Sequence, residues 1–257
     1  MSFRTYHEVA GPDASGIAEQ VGAQRARVQS RLRSVRRIVA VMSGKGGVGK
    51  SFVTAHLAAA LARTGRAVGV LDADFNGPTA AGLLEASGPL RVGDEAVEPR
   101  SGVNGVRCVS MAHLLEEGRP LAFRGPQAES FIWRGALEAA ALREFLGDVA
   151  WGALDYLLVD LPPGLQRLNE LCDLLPAPPD VLTVTIPTPE SRDAVRRALR
   201  AAVEREAPAL GLVENMVGPQ FPGDAGRVLS EEFGIPVLAR IPWHPTPDTW
   251  YRLAERL

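Results

Sequence analysis

Cysteine is nearly absent: Cys108 and Cys172 are the only two in 257 residues. Two thiols cannot make the four-thiolate set of a zinc ribbon or an iron-sulfur site within one chain, and neither lies in a CxxC pair. They read as buried free thiols, with one disulfide as the arithmetical alternative. No basic, apolar, small-residue leader opens the chain, so a reducing cytoplasm is the expected location. Long apolar runs are missing too, and nothing approaches the roughly 18 residues needed to cross a bilayer. Nor does one charge dominate. The 28 Lys and Arg face 30 Asp and Glu for a net charge of −2, so nucleic acid or an anionic membrane could be held only by a local patch. What remains, 46% hydrophobic and 23% charged residues, is the composition of a folded domain with a sizeable core.

Residues 1–16 (MSFRTYHEVAGPDASG) are polar and broken by Gly and Pro, which predicts an irregular arm. Ile17, Val21, Val28, Leu32 and Val35 then fall on one face of a predicted helix, and Arg25, Arg27, Arg31, Arg33, Arg36 and Arg37 give it a basic opposite face. An apolar stripe packed on the body with hydrated arginines is the favoured reading; lipid headgroups, nucleic acid or an acidic partner are the alternatives. Beyond it, short apolar runs alternate with helical stretches, the pattern of parallel strands joined by crossover helices. Strands are predicted at 38–43, 67–71, 106–111, 156–160, 181–186, 209–214 and 235–240. Helices are predicted at 50–63, about 128–147, 190–206 and 225–233, and a hairpin over 90–99 turning at Gly93-Asp94. The expected fold class is α/β, with a single doubly wound, mostly parallel sheet. The division is an arm and basic helix over 1–36 and one α/β domain over 37–257. The tail DTWYRLAERL (248–257) is amphipathic, with Trp250, Leu253 and Leu257 at helical spacing, and should dock on the body.

Gly44-Lys45-Gly46-Gly47-Val48-Gly49-Lys50-Ser51 matches G-x4-G-K-[ST] between a predicted strand and a predicted helix. Glycines let successive amides face phosphate oxygens with no side chain in the way, and the helix N-terminus adds its positive end. Lys50 is the expected β,γ-phosphate cation, and Ser51 the expected Mg2+ hydroxyl. Asp72 and Asp74, in LDADFNGP, follow the next strand and should surface at the same sheet edge. Asp160, ending the apolar run YLLVD, stands where a carboxylate holds Mg2+ through water. Pro162, Pro163 and Gly164 then form a stiff candidate switch. Asn215, whose amide both donates and accepts, suits adenine.

The loop GKGGVGKS resembles the deviant Walker A loop of the class that holds the MinD/ParA division ATPases, arsenite-pump ATPases, nitrogenase iron protein and Mrp/ApbC iron-sulfur carriers. Taken with DADFNGPT, IWRGALEAAALREFL, WGALDYLLVDLPPG and GLVENM, in that order, residues 37–241 resemble the Mrp/ApbC branch. The resemblance implies a slow ATPase with ATP and Mg2+ as cofactors, working as a nucleotide-dependent homodimer switch with an apoprotein or cargo as partner. It implies that Lys45 reaches across the dimer to the partner's nucleotide, that Asp74 orients the attacking water, and that Asp72 fixes the switch loop or the metal's water shell. Asn215 would read adenine through its amide, and Pro242 would flank the base. A positioning or regulatory ATPase of ParA/MinD style, contacting nucleic acid or membrane through Arg25–Arg37, is the alternative.

Four departures qualify the resemblance. Where the branch follows ENM with a CPxC cluster motif, this chain has Val217-Gly218-Pro219-Gln220-Phe221-Pro222-Gly223, so an iron-sulfur cluster of its own is not expected. Leu165-Gln166-Arg167 replace a T-G-D run after Gly164. Phe52 takes the place of a threonine that touches the α-phosphate, at a loss of about 0.5–1.5 kcal/mol. The small N-terminal domain of many Mrp proteins gives way to the basic helix.

Overall fold

A computed structural model describes residues 17–93, 96–114 and 138–257, with side chains from Val21 onward. The predicted arm, residues 132–137 of the IWRGALEAAALREFL block and the start of the helix predicted at about 128–147 lie outside the described residues. Nine residues rich in β-branched types, Val35–Ser43, form β1 near the middle of an eight-stranded sheet. Its alternate side chains enter two separate cores: Ala40 and Met42 on one face, Val39 and Val41 on the other. A strand buried on both faces carries no polar alternation, which is why it reads as a continuous apolar run.

The other strands are β2 (Val68–Asp72), β3 (Arg91–Val92), β4 (Val97–Glu98), β5 (Arg100–Ser101), β6 (Arg107–Ser110), β7 (Leu154–Asp160), β8 (Asp180–Thr185), β9 (Ala209–Val217) and β10 (Val237–Pro242). The large sheet runs β10-β9-β8-β1-β7-β2-β6-β5, parallel except for the antiparallel edge strand β5. The expected hairpin is present as the antiparallel pair β3–β4, with Gly93 N donating to Ala96 O at 2.9 Å.

The helices are α1 (Ile17–Leu32), α2 (Lys50–Arg63), α3 (Ala80–Leu83), α4 (138–147), α5 (Gln166–Leu174), α6 (Pro189–Glu204), α7 (Ala225–Phe233) and α8 (Pro247–Ala254). One core joins residues of α1, α4, α5, α6 and α7, and the other joins α2, α3 and α8. Helices on both faces make the sheet doubly wound, the expected class. The predicted first helix ends at Leu32, and Val35 opens β1 by pairing with Leu154. Val28 and Leu32 are buried in the same core as Leu142, Phe145 and Leu146, so α1 is packed on the body. Arg25, Arg27, Arg33 and Arg36 are exposed, as expected, with Arg27 reaching Asp148 at 2.8 Å, while Arg37, which lies in β1, is partly buried and pairs with Asp180 at 2.5 Å. The C-terminal helix α8 docks as expected, with Trp250 and Leu253 buried beside α2.

Candidate nucleotide site

Parallel strands bring their C-terminal ends to one edge. β1, β2, β7, β8 and β9 therefore deliver the phosphate loop, Asp72, Asp160, Thr185 and Asn215 to the same rim. The loop itself depends on glycine for two different reasons. Gly47 and Gly49 have φ of +77° and +78°, in the left-handed region that other residues rarely adopt. Gly44 is required by packing, because a Cβ there would lie 2.3 Å from the carbonyl carbon of Ala194 in α6.

Asp160 is the buried hub beneath the loop. Lys50 Nζ donates to its Oδ1 at 2.7 Å, Ser51 Oγ to its Oδ2 at 2.5 Å, and Thr54 Oγ1 to its Oδ1 at 2.9 Å. Thr54 carries no motif signal, although it lies one helical turn beyond Lys50 on the same face of α2. Asp72 is registered directly beside Asp160. Its carboxylate takes the amides of Ala80 at 3.0 Å and Asp74 at 3.2 Å and the Ser110 hydroxyl at 3.2 Å, so it ties down both ends of the 73–80 loop. Burial, reinforced by the charge on Asp160, pushes the Asp72 carboxyl up to about 7. Ser110 is likewise silent in the sequence; it reaches Asp72 only through the pairing of β2 with β6, which no local pattern announces.

Asp74 is half-buried at the head of that loop and accepts from Gly77 N at 3.3 Å. Burial raises its carboxyl above the ordinary range, against the opposing pull of Lys50. Lys45 is partly exposed at the loop's outer limb, near the N-terminus of α6, where its charge is one of the influences on Glu190. That carboxyl is held below its usual range mainly by its own backbone amide and by Thr188. Gly46 is open, and Val48 is buried. Asn215 is buried at the end of β9, where Nδ2 donates to Val48 O at 2.9 Å, so in this structure the amide braces the loop. Pro242 is exposed at the end of β10, opposite Val217. Phe52 turns its ring onto His56 and Trp250, with centroids 4.0 and 5.6 Å away; the threonine's place has gone to an aromatic contact that helps seat α8. Within Val217–Gly223, residues 218–221 form a tight turn closed by Phe221 N on Gly218 O at 3.0 Å. Cys108 and Cys172 are buried on β6 and α5, and burial raises both thiols above their usual range.

These donors fit a magnesium nucleotide. The loop offers open glycine backbone and a lysine, and Ser51 with Asp160 supplies the hard oxygen ligands that Mg2+ takes. Together the doubly wound sheet, the phosphate loop and the Asp160 hub define a P-loop NTPase. The comparisons give the family: residues 34–250 match the ParA model described as NUBPL iron-transfer P-loop NTPase, and the chain belongs to that family.

Among relatives, it is 36% identical to an iron-sulfur cluster carrier protein of Saccharolobus solfataricus, over 91% of this chain and 80% of the relative. It is 34% identical to the cytosolic Fe-S cluster assembly factor cfd1 of Aspergillus fumigatus, covering 82% and 77% of the two chains. The ADP complex of a nucleotide-binding protein from Archaeoglobus fulgidus superposes with a TM-score of 0.69 at 33% identity, over 90% of this chain and 92% of the other. The Mg-ADP complex of the septum site-determining protein MinD from Pyrococcus horikoshii has a TM-score of 0.59 at 20% identity, over 85% and 94%, and shares the fold.

Proposed function

We propose that this protein binds Mg-ATP at residues 44–51, hydrolyses it slowly, and uses the bound and spent nucleotide to close and open a homodimer in the service of iron-sulfur cluster assembly. The observation that carries the reading is the Asp160 hub. A buried carboxylate gathers Lys50, Ser51 and Thr54 directly under a glycine loop. Charge balance favours a switch there: when phosphates draw Lys50 away, Asp160 keeps Ser51 and becomes available to the metal's water shell. Bound Mg2+ supplies charge neutralisation on the phosphates.

The chain's own groups do the rest. Amides of the loop and Lys50 bind the triphosphate, while Asp72 holds the 73–80 loop in place. Asp74, held by Gly77 N and only half-buried, orients the attacking water. Lys45, on the outer limb of the loop, is poised to reach a nucleotide on a second copy. Asn215 would exchange Val48 O for the base, with Pro242 alongside.

The iron-sulfur cluster enters as cargo. Val217–Gly223 offers no thiolate, so this chain works beside a partner that supplies cysteines rather than bridging a cluster itself. No helix among the described residues is long and apolar enough to cross a membrane, and α1 spends Val28 and Leu32 on the core, which supports a cytoplasmic switch over a membrane-lying helix.

Asp74→Ala should retain Mg-ATP, lose most turnover and accumulate as dimer; unchanged phosphate release would reject the water-orienting role. Lys45→Ala should bind nucleotide but stay monomeric by light scattering with ATP present, and an unaltered dimer would remove the cross-subunit lysine. Anaerobic reconstitution with iron and sulfide should leave no stoichiometric cluster, and a stable bridging one would overturn the cargo-only reading.

A further inference from the structure

The loop after β2 and the loop after β7 both reach the phosphate edge, and a buried guanidinium lies between them. Arg167, in the first turn of α5, is 4% exposed. Its Nη2 donates to Glu138 Oε2 at 2.6 Å, its Nη1 donates to Glu170, and its guanidinium carbon stands 5.2 Å from the centre of the Phe75 ring. Glu138, the first described residue of α4, uses its other oxygen to accept from Asn76 Nδ2 at 2.9 Å. Phe75 and Asn76 directly follow Asp74, and Arg167 stands three residues beyond Gly164. Phe75 is itself buried and edge-on to Phe145 of α4, 5.9 Å between centroids. Pulling the loop after β7 away would part the buried Arg167 from Glu138, and pulling the Asp74 loop away would take Phe75 off the guanidinium face and Asn76 off Glu138, so each movement costs the buried cation or its carboxylate a partner. A planar five-donor fork suits this task, since it serves two carboxylates in its plane while a ring covers its face.

We propose that Arg167 is a positioning residue for nucleotide turnover. Through Glu138 and Phe75 it locks the Asp74 loop to the loop that follows Asp160, so the two move as one when nucleotide is bound or spent. The inference rests on the reading of Asp74 as the water-orienting group. The hydrogen bonds of Arg167, Glu138 and Asn76 all lie outside the phosphate loop, so the lock bears on the turnover step and leaves nucleotide affinity alone.

The test measures kcat and KM for Mg-ATP in Asn76→Ala, Arg167→Lys, the double variant and Asp74→Asn, with a thermal melt of each. Asn76 is exposed, so Asn76→Ala should melt like the parent. Each single change should lower kcat on the order of tenfold with KM within about twofold, and the double should fall no further than the worse single. Parental kcat in both singles, losses that track the melting temperature, or a double equal to the product of the singles would overturn the lock. If Asp74→Asn keeps full turnover, the water-orienting reading fails, and the lock is still decided by the coupling of the other two. If Asp74→Asn is dead while Asn76→Ala and Arg167→Lys turn over normally, only the lock fails. Hydrogen exchange probes the lock independently of turnover: the amides of Gly164, Leu165 and Gln166 should exchange faster in Asn76→Ala, and unchanged exchange there would also overturn it.

Discussion

Gly44 and Gly46 belong to one loop, yet their α-carbons have opposite surroundings. A methyl on Gly44 would lie 2.3 Å from the carbonyl carbon of Ala194 and 2.4 Å from the amide nitrogen of Val195. Both are backbone atoms of α6, which no rotamer change can move aside. Loop and helix would have to part by about 1 Å, and overpacking of this kind in a close-packed interior costs about 1–3 kcal/mol. At about 2–4 °C per kcal/mol for a chain of this size, Gly44→Ala should melt roughly 2–12 °C below the parent. A Cβ on Gly46 meets nothing within 4 Å, and its φ is not among the positive values. Gly46→Ala should therefore melt within about 1 °C of the parent, as an unstrained surface change does. The methyl still projects from a loop whose amides must close around phosphate oxygens. Losing one hydrogen bond to a charged group, about 1.5–3 kcal/mol, weakens Mg-ADP binding about ten- to a hundredfold. Scanning fluorimetry and titration calorimetry on the two variants separate the effects. Should Gly46→Ala bind Mg-ADP like the parent, or Gly44→Ala melt like it, the division between a packing glycine and a phosphate glycine would be wrong.

Two other outcomes follow from burial. Asp72 is raised to about 7, so the folded state binds its proton more tightly than the unfolded chain does; the stability this provides is full below the unfolded value and is lost as pH rises through the folded one. Asp72→Asn removes that titration, so in urea melts of the nucleotide-free protein its stability relative to the parent should climb from about pH 4 to about pH 7 and level off above; a pH-independent difference would refute the shift. Leu253→Ala, at a fully buried position of α8, should cost about 2–5 kcal/mol by the same melts, and a loss below about 1 kcal/mol would mean that the tail is not docked on α2 in solution.

What the sequence reveals about this molecule tracks how local the physics is. The phosphate loop is legible because its glycines and lysines answer to backbone geometry over eight consecutive residues, and Asp160 because a buried strand that ends in a carboxylate is itself a local contradiction. Thr54 is open to the same logic, since helical spacing alone puts it beside Lys50. The amphipathic helix α5 is also within reach of the pattern: Leu168, Leu171, Cys172 and Leu175 recur at helical steps, but the prolines before it give the segment the look of a switch. Ser110 and Glu138 are different. Ser110 serves Asp72 across 38 residues, and Glu138 takes Asn76 across 62 and Arg167 across 29. None of these residues departs from an ordinary loop or helix pattern in its own neighbourhood. Arg167 illustrates the consequence most directly. Read along the chain it is only the loss of a hydroxyl and a carboxylate from a family motif, whereas in the fold it is a buried cation that two carboxylates and an aromatic face had to converge to accommodate. Such convergence comes from separate segments and from the burial they share. The departures from the family pattern that sequence comparison scores as losses are therefore where the structure has to be consulted for what was put in their place.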